Sequence, residues 1–135
     1  MEDCIFCKIV SGEMPCHKLY EDHRVIALLD IFPTTKGHTL LVQKEHEQDV
    51  LHSSEENAQA LLTTARSLAP TIMKTVHATD INVIFNVGAN AGQTIFHTHM
   101  HIIPRYAGDG LETWPQGETD HEAFKKLAEE IKGNV

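Results

Sequence analysis

Histidine stands at positions 97, 99 and 101 of this chain, alternating with Thr98 and Met100 and followed by Ile102 and Ile103. On an extended strand, residues two and four apart face the same way. His97, His99 and His101 therefore share one face, and Thr98, Met100 and Ile102 turn to the other. At about 3.3 Å per residue, neighbouring histidines start roughly 6.6 Å apart and the outer two roughly 13 Å apart. A metal ion wants ligand nitrogens about 2.0–2.1 Å from itself, so the outer pair is poorly placed to share one ion. The row divides more naturally, with one end serving one task and the remainder another. Three imidazoles on a buried face are expensive without such a task. Two alternatives stand beside this reading: solvated histidines on an exposed sheet face, and a metal-only site with a third ligand from elsewhere.

The flanks supply the rest of the architecture. "CIFCKIVSGEM" reads as a short helix closed by Gly12. "HKLYED" and "RVIALLDI" read as strands about a charged turn, and "HTLLVQK" as a third, which together suggest an antiparallel meander. Helical spacing then takes over at Ala58, Leu61, Leu62, Ala65, Leu68, Ala69 and Ile72. Ser53 with Glu56 forms a capping pattern at its start, and Pro70 is expected to kink or interrupt its later turns. "INVIFNVG" is a fourth strand, and "IFHTHMHIIP" a fifth stopped by Pro104. Thr119 with Glu122 precedes a terminal helix, "HEAFKKLAEEIK". The expectation is an α+β fold on an antiparallel sheet, with one long and one C-terminal helix, in a single domain over residues 1–135.

Composition narrows the chemistry. Lys and Arg total 11 against 19 Asp and Glu, a net charge of −8 over 135 residues. That balance argues against sequence-independent nucleic-acid binding. A small phosphate ligand would need local donors. "GANAGQT", just before the row, offers them in Gly88, Gly92, Gln93 and Thr94: backbone N–H groups, an amide and a hydroxyl. With an imidazole within five residues, the loop reads as a phosphoryl site with a histidine placed to attack phosphorus. No apolar run approaches the roughly 20 residues of a membrane span, and "MEDCIFCKIV" lacks the features of a signal peptide. Three cysteines do not form a disulfide framework, so a cytoplasmic setting is expected. Cys4 and Cys7 form C-x-x-C: a redox dithiol, two small buried thiols, or half a zinc site. In the last reading His97, left over at the end of the row, is a natural third ligand, and Cys16, His17, His38 and His46 are candidates for the fourth.

"HTHMHII" resembles the His-φ-His-φ-His-φ-φ signature of the histidine triad family of nucleotide hydrolases and transferases, in which φ is hydrophobic. "CIFCKIVSGEMP", "ALLDIFPTTKGHTLLVQKEH" and "NVGANAGQTIFHTHMHIIPR" resemble family segments in family order over about residues 4–105. Thr98 departs from the pattern, which usually has a bulkier residue there. The resemblance implies that His99 is the nucleophile and forms a nucleotidyl-histidine intermediate. It implies that His101 contacts phosphate and holds His99, and that Gln93 and Thr94 bind phosphate oxygens and the leaving group. Asn86 would lie near phosphate and ribose, with Asp30 on the ribose hydroxyls. Phe6, Ile9, Ile31 and Phe32 would line the base pocket, although core packing explains such apolar residues equally well. Because the row closes on His101 rather than glutamine, hydrolysis is favoured over uridylyl transfer.

Resemblance to bacterial-type members further implies a structural zinc held by Cys4, Cys7, His46 and His97, with no metal in the chemical step. It also implies a homodimer joining two sheets, and a purine nucleotide substrate split to an AMP-like monophosphate. Alternatives within reach are a dinucleoside polyphosphate hydrolase, a nucleotide-binding scaffold with incidental catalysis, and a hydrolase using the triad as metal ligands.

Overall fold

A computed structural model describes residues 3–135. In chain order the elements are α1 (Ile5–Ser11), β1 (Lys18–Glu21), β2 (Val25–Leu29), β3 (Thr39–Gln43), α2 (Glu55–Val76), β4 (Asp80–Ile84), β5 (His99–Arg105) and α3 (His121–Asn134). The strands form one antiparallel sheet in the order β1-β2-β3-β5-β4. The expected α+β class and the meander of the first three strands are both present.

β2 and β3 are central and covered on both faces, so four of five residues in β2 and all five in β3 are buried. Their alternation builds two cores. Val25, Ala27, Leu41, Met100 and Ile102 face α2, meeting Leu61, Ala65 and Ile72. Ile26, Leu28, Leu40 and Val42 face the other way, against Phe6 of α1. Each fully buried Leu or Ile contributes about 1.5–3 kcal/mol. β5 obeys the same alternation: Met100 and Ile102 go to the α2 side, which leaves His99 and His101 facing α1.

Five local expectations are corrected. α2 is capped by Ser54, whose side chain accepts from the Asn57 N–H. Ser53 instead donates to the Asp49 carbonyl and bonds Thr98 Oγ1 at 2.8 Å, so adjacent hydroxyls divide two jobs. Pro70 does not interrupt α2, which runs unbroken over 22 residues. One lost hydrogen bond is outweighed by the apolar stripe anchored on either side of it. α3 is capped by Asp120 rather than Thr119, with Ala123 N–H as donor. Pro104 does not stop β5. The pairing of β3 with β5 ends at Thr39 and Ile102, so Pro104 lies where β3 no longer needs a donor, as an edge position allows. β5 also begins later than expected, at His99, and His97 lies on the segment entering it.

Gly37 carries the loop between β2 and β3 past the end of α2. Its φ is +90°, and a Cβ there would sit 2.9 Å from Val76 Cγ1. Gly12, the C-cap of α1, has φ +84° with open space around it. Replacing each by Ala separates the two effects. Gly12→Ala should lose about 1–2 kcal/mol from left-handed strain alone, and Gly37→Ala a further 1–3 kcal/mol from crowding, read from urea midpoints. Equal losses would refute the close approach at Gly37.

Candidate active site

His99 is oriented by the residue two before it. Its Nδ1 lies 2.7 Å from the His97 carbonyl. A carbonyl only accepts, so Nδ1 carries the proton and Nε2 keeps its lone pair. Phe6 packs edge-on against this ring, with centroids 4.9 Å apart. Burial holds the His99 pKa below the ordinary histidine value, against the opposing hydrogen bond to His97. At neutral pH the ring is therefore uncharged and nucleophilic at Nε2.

The tautomer of His101 is set through His38. The Thr34 N–H donates to His38 Nδ1 at 3.0 Å, so the His38 proton is on Nε2. That N–H donates to His101 Nδ1 at 2.9 Å, which leaves His101 with its own proton on Nε2. Asp30 Oδ2 stands 3.5 Å from the same His38 nitrogen, and Asp30 Oδ1 accepts the Phe32 N–H at 2.8 Å. Burial lowers the His38 pKa, opposed by Asp30. His101 is pushed down to about 4, by burial first and then by His99 and His38. Sequence reasoning weighed His38 only as a zinc ligand. Its partnership with His101 spans 63 positions and leaves no local signal. Asp30, His38 and His101 are close enough to hold a cation. However, Thr34 consumes the His38 lone pair on Nδ1, so Nε2 has none to offer a metal.

These side chains open into a cleft of about 310 Å³. Phe6, Ile9, Asp30, Ile31, Phe32, Thr94, His99 and His101 all line it, bringing eight expected site residues to one place. Core packing accounts for Phe6, which is buried, but not for Ile31 and Phe32, which are 69% and 85% exposed at the rim. Exposed apolar groups at a cleft mouth are a mark of ligand binding.

The glycine loop behaves differently from the expectation. Gly92 N–H donates to the Ala89 carbonyl, and Ala91 and Gln93 N–H both donate to the Gly88 carbonyl. These donors close the turn and are not offered to an anion. Gly92 is required for its φ of +99°, with the Asn86 amide packed 3.6 Å from where a Cβ would be. Gln93 is buried. Its Oε1 accepts from Gly88 N–H, and its Nε2 donates to the Gln48 and Ile95 carbonyls. The side chain is a strut of the loop rather than the phosphate donor that the resemblance implies. Thr94 is the loop residue that reaches the cleft.

Behind the row lies a second cluster. Cys4, Cys7, His46 and His97 place one donor atom each within 4.8 Å of one another. Cys4 Sγ is 3.4 Å and Cys7 Sγ 3.6 Å from His97 Nδ1; Cys7 Sγ is 3.3 Å from His46 Nδ1; the two Nδ1 atoms are 3.0 Å apart. A tetrahedral zinc with these ligands needs donor separations of about 3.3–3.8 Å. His97 Nε2 donates to the Gln43 carbonyl at 2.5 Å, which frees Nδ1 for a metal and orients the ring, as outer-shell partners do. The donor set and tautomer fit zinc. Burial, then the Cys4 sulfur, push the Cys7 thiol up; a coordinated cation reverses that by deprotonating its thiols. Of the four candidates for the last ligand, His46 is the one brought to this cluster.

Fold and site define a small α+β protein whose histidine-lined cleft backs onto a Cys₂His₂ cluster. The chain belongs to the HIT domain family, whose model matches residues 11–108. It is 40% identical over 134 residues to an adenosine 5'-monophosphoramidase of Schizosaccharomyces pombe, covering 98% of each chain. A Streptococcus mutans protein of known structure superposes with a TM-score of 0.94 at 41% identity, over 99% of this chain and 86% of the other. A zinc-bound histidine triad family protein from Mycobacterium smegmatis superposes with a TM-score of 0.78 at 35% identity, over 93% and 90%.

Burial makes a pH prediction. The folded pKa of His101 lies below its unfolded value, so the unfolded chain binds the extra proton first as pH falls. The stability from keeping His101 neutral is complete above about 6.5 and is lost as pH falls through about 4. Histidine NMR titration should find the His101 midpoint near 4, and a midpoint at or above the ordinary value would refute this environment.

Proposed function

We propose that this chain is a nucleotide hydrolase that releases an AMP-like nucleoside monophosphate through a covalent nucleotidyl-His99 intermediate. One observation carries the reading: His99 presents an uncharged Nε2 to a cleft, with Nδ1 held by the His97 carbonyl. The Nε2 lone pair attacks the α-phosphorus and forms a P–N bond as the bond to the leaving group breaks. Water then attacks the same phosphorus, the P–N bond breaks, and the monophosphate departs. His101, with its proton on Nε2, donates to a non-bridging oxygen. Thr94 supplies its hydroxyl at the phosphate or leaving group, while Gly92 and Gln93 hold the loop that positions it, and Asn86 packs behind that turn. Asp30 receives the ribose hydroxyls. Phe6, Ile9, Ile31 and Phe32 enclose the base, with a purine favoured.

The phosphoramidase name of the fission-yeast relative supports an amine leaving group. A dinucleoside polyphosphate is the alternative, since its α-phosphorus is attacked in the same way. Cys4, Cys7, His46 and His97 hold a structural zinc, with no open position and no part in the chemical step. The functional unit is a homodimer in a cytoplasmic setting. β4 is an unpaired sheet edge, and α3 leaves Phe124, Leu127 and Ile131 about half exposed along one stripe, both of which invite a second copy.

His99→Ala should lower turnover of an adenosine phosphoramidate by more than about a thousandfold, while AMP affinity stays within about threefold. Acid-quenched wild-type enzyme should yield an adenylyl group on His99 by mass spectrometry. Retained turnover in the variant, or the adduct on another side chain, would overturn the mechanism. Wild-type AMP binding without turnover would favour the scaffold reading.

A further inference from the structure

α1 joins the two clusters. It is seven residues long, and Phe6 is its one buried side chain. A helix this short does not persist by itself. Phe6 stands between Cys4 and Cys7 in sequence, and its ring packs edge-on against both His97, at 5.8 Å, and His99, at 4.9 Å. Ile5, Phe6 and Ile9 together form one wall of the cleft. On the far side, the two thiols of the same helix turn meet His46 and His97. His97 is shared as well: its ring belongs to the cysteine cluster, and its carbonyl receives the His99 proton donor.

We propose that Phe6 is a positioning residue through which metal occupancy of the Cys4, Cys7, His46 and His97 cluster is energetically coupled to nucleotide binding in the cleft. The inference rests on the zinc and nucleotide readings above. A metal ion among those four donors ties α1, the segment after β3 and the entry to β5 to one point. That clamps the Phe6 ring against His99 and holds the α1 wall where the base and ribose need it. Without the ion, thiol–imidazole contacts and the packing of Phe6, Ile9 and Val10 hold the wall. A structural ion and a substrate pocket thus share one lever, and linkage requires the effect to run both ways.

The experiment is an equilibrium measurement on the intact chain. Zinc affinity is read by competition with a chromophoric chelator, with and without saturating AMP. AMP affinity is read by calorimetry on zinc-loaded and metal-free protein, with circular dichroism to verify that the latter is folded. AMP should tighten zinc, and zinc should tighten AMP, by the same factor of about fivefold or more, the lower range of ordinary site-to-site coupling. Phe6→Ala should still take up one zinc but bring the coupling factor close to one, and Phe6→Leu should recover part of it. Where the metal-free chain unfolds, zinc and AMP are linked through folding alone. The coupling is then assigned to Phe6 by its loss in Phe6→Ala and partial return in Phe6→Leu, and a factor unchanged in Phe6→Ala overturns the assignment. Zinc and AMP both binding, each indifferent to the other, overturns the coupling and leaves the zinc and nucleotide readings intact. A chain that binds AMP and takes up no zinc overturns the coupling together with the zinc reading.

Discussion

The arrangement depends on one buried imidazole. His97 has no exposed surface, and both its ring nitrogens and its backbone carbonyl are committed. Nε2 donates to Gln43 at the end of β3, Nδ1 faces the two thiols and His46, and the backbone carbonyl accepts from His99. Burying an imidazole is tolerable when both nitrogens have partners. Here those partners lie on α1, on β3 and the segment after it, and two residues further along the same chain. This one residue thus ties the cysteine cluster to the His99 ring.

Around it, proton positions propagate by hydrogen bonding rather than by charge. A backbone N–H at Thr34 decides the tautomer of His38, which decides that of His101. The His97 carbonyl decides the tautomer of His99. Burial keeps these rings neutral by lowering their pKa values. An acidic chain can in this way present donors and one nucleophilic lone pair to an anion without assembling a cationic patch. Low-dielectric surroundings strengthen each of those dipoles.

The places where local rules misled share a cause. Gly92 and Gln93 have the composition of an anion-binding loop, yet their donors are spent closing the turn and bracing it against Gln48 and Ile95. A loop needs internal bonds before it can offer any, and a sequence does not show which are left over. Ser53 and Ser54 are equivalent as caps on paper. The contact of Ser53 with Thr98, 45 positions away, assigns one to the sheet and the other to the helix. Pro104 is a strand breaker only where a neighbour needs its donor, and β3 ends before that point.

Local pattern was sufficient for much of this protein. The period-two histidines place His99 and His101 on one face, and the helical stripe, the strand runs and the turn residues specify an α+β fold. The reach of a metal–ligand bond already separates His97 from its companions. The HIT family membership is written in the same contiguous segments. Tertiary structure decided what those segments cannot express. It selects His46 among four possible partners for the cysteines, brings His38 to His101, and makes Phe6 a wall shared by two clusters. Such choices are pairings between residues dozens of positions apart, fixed only when the sheet order and the packing of both faces bring them within a few ångströms.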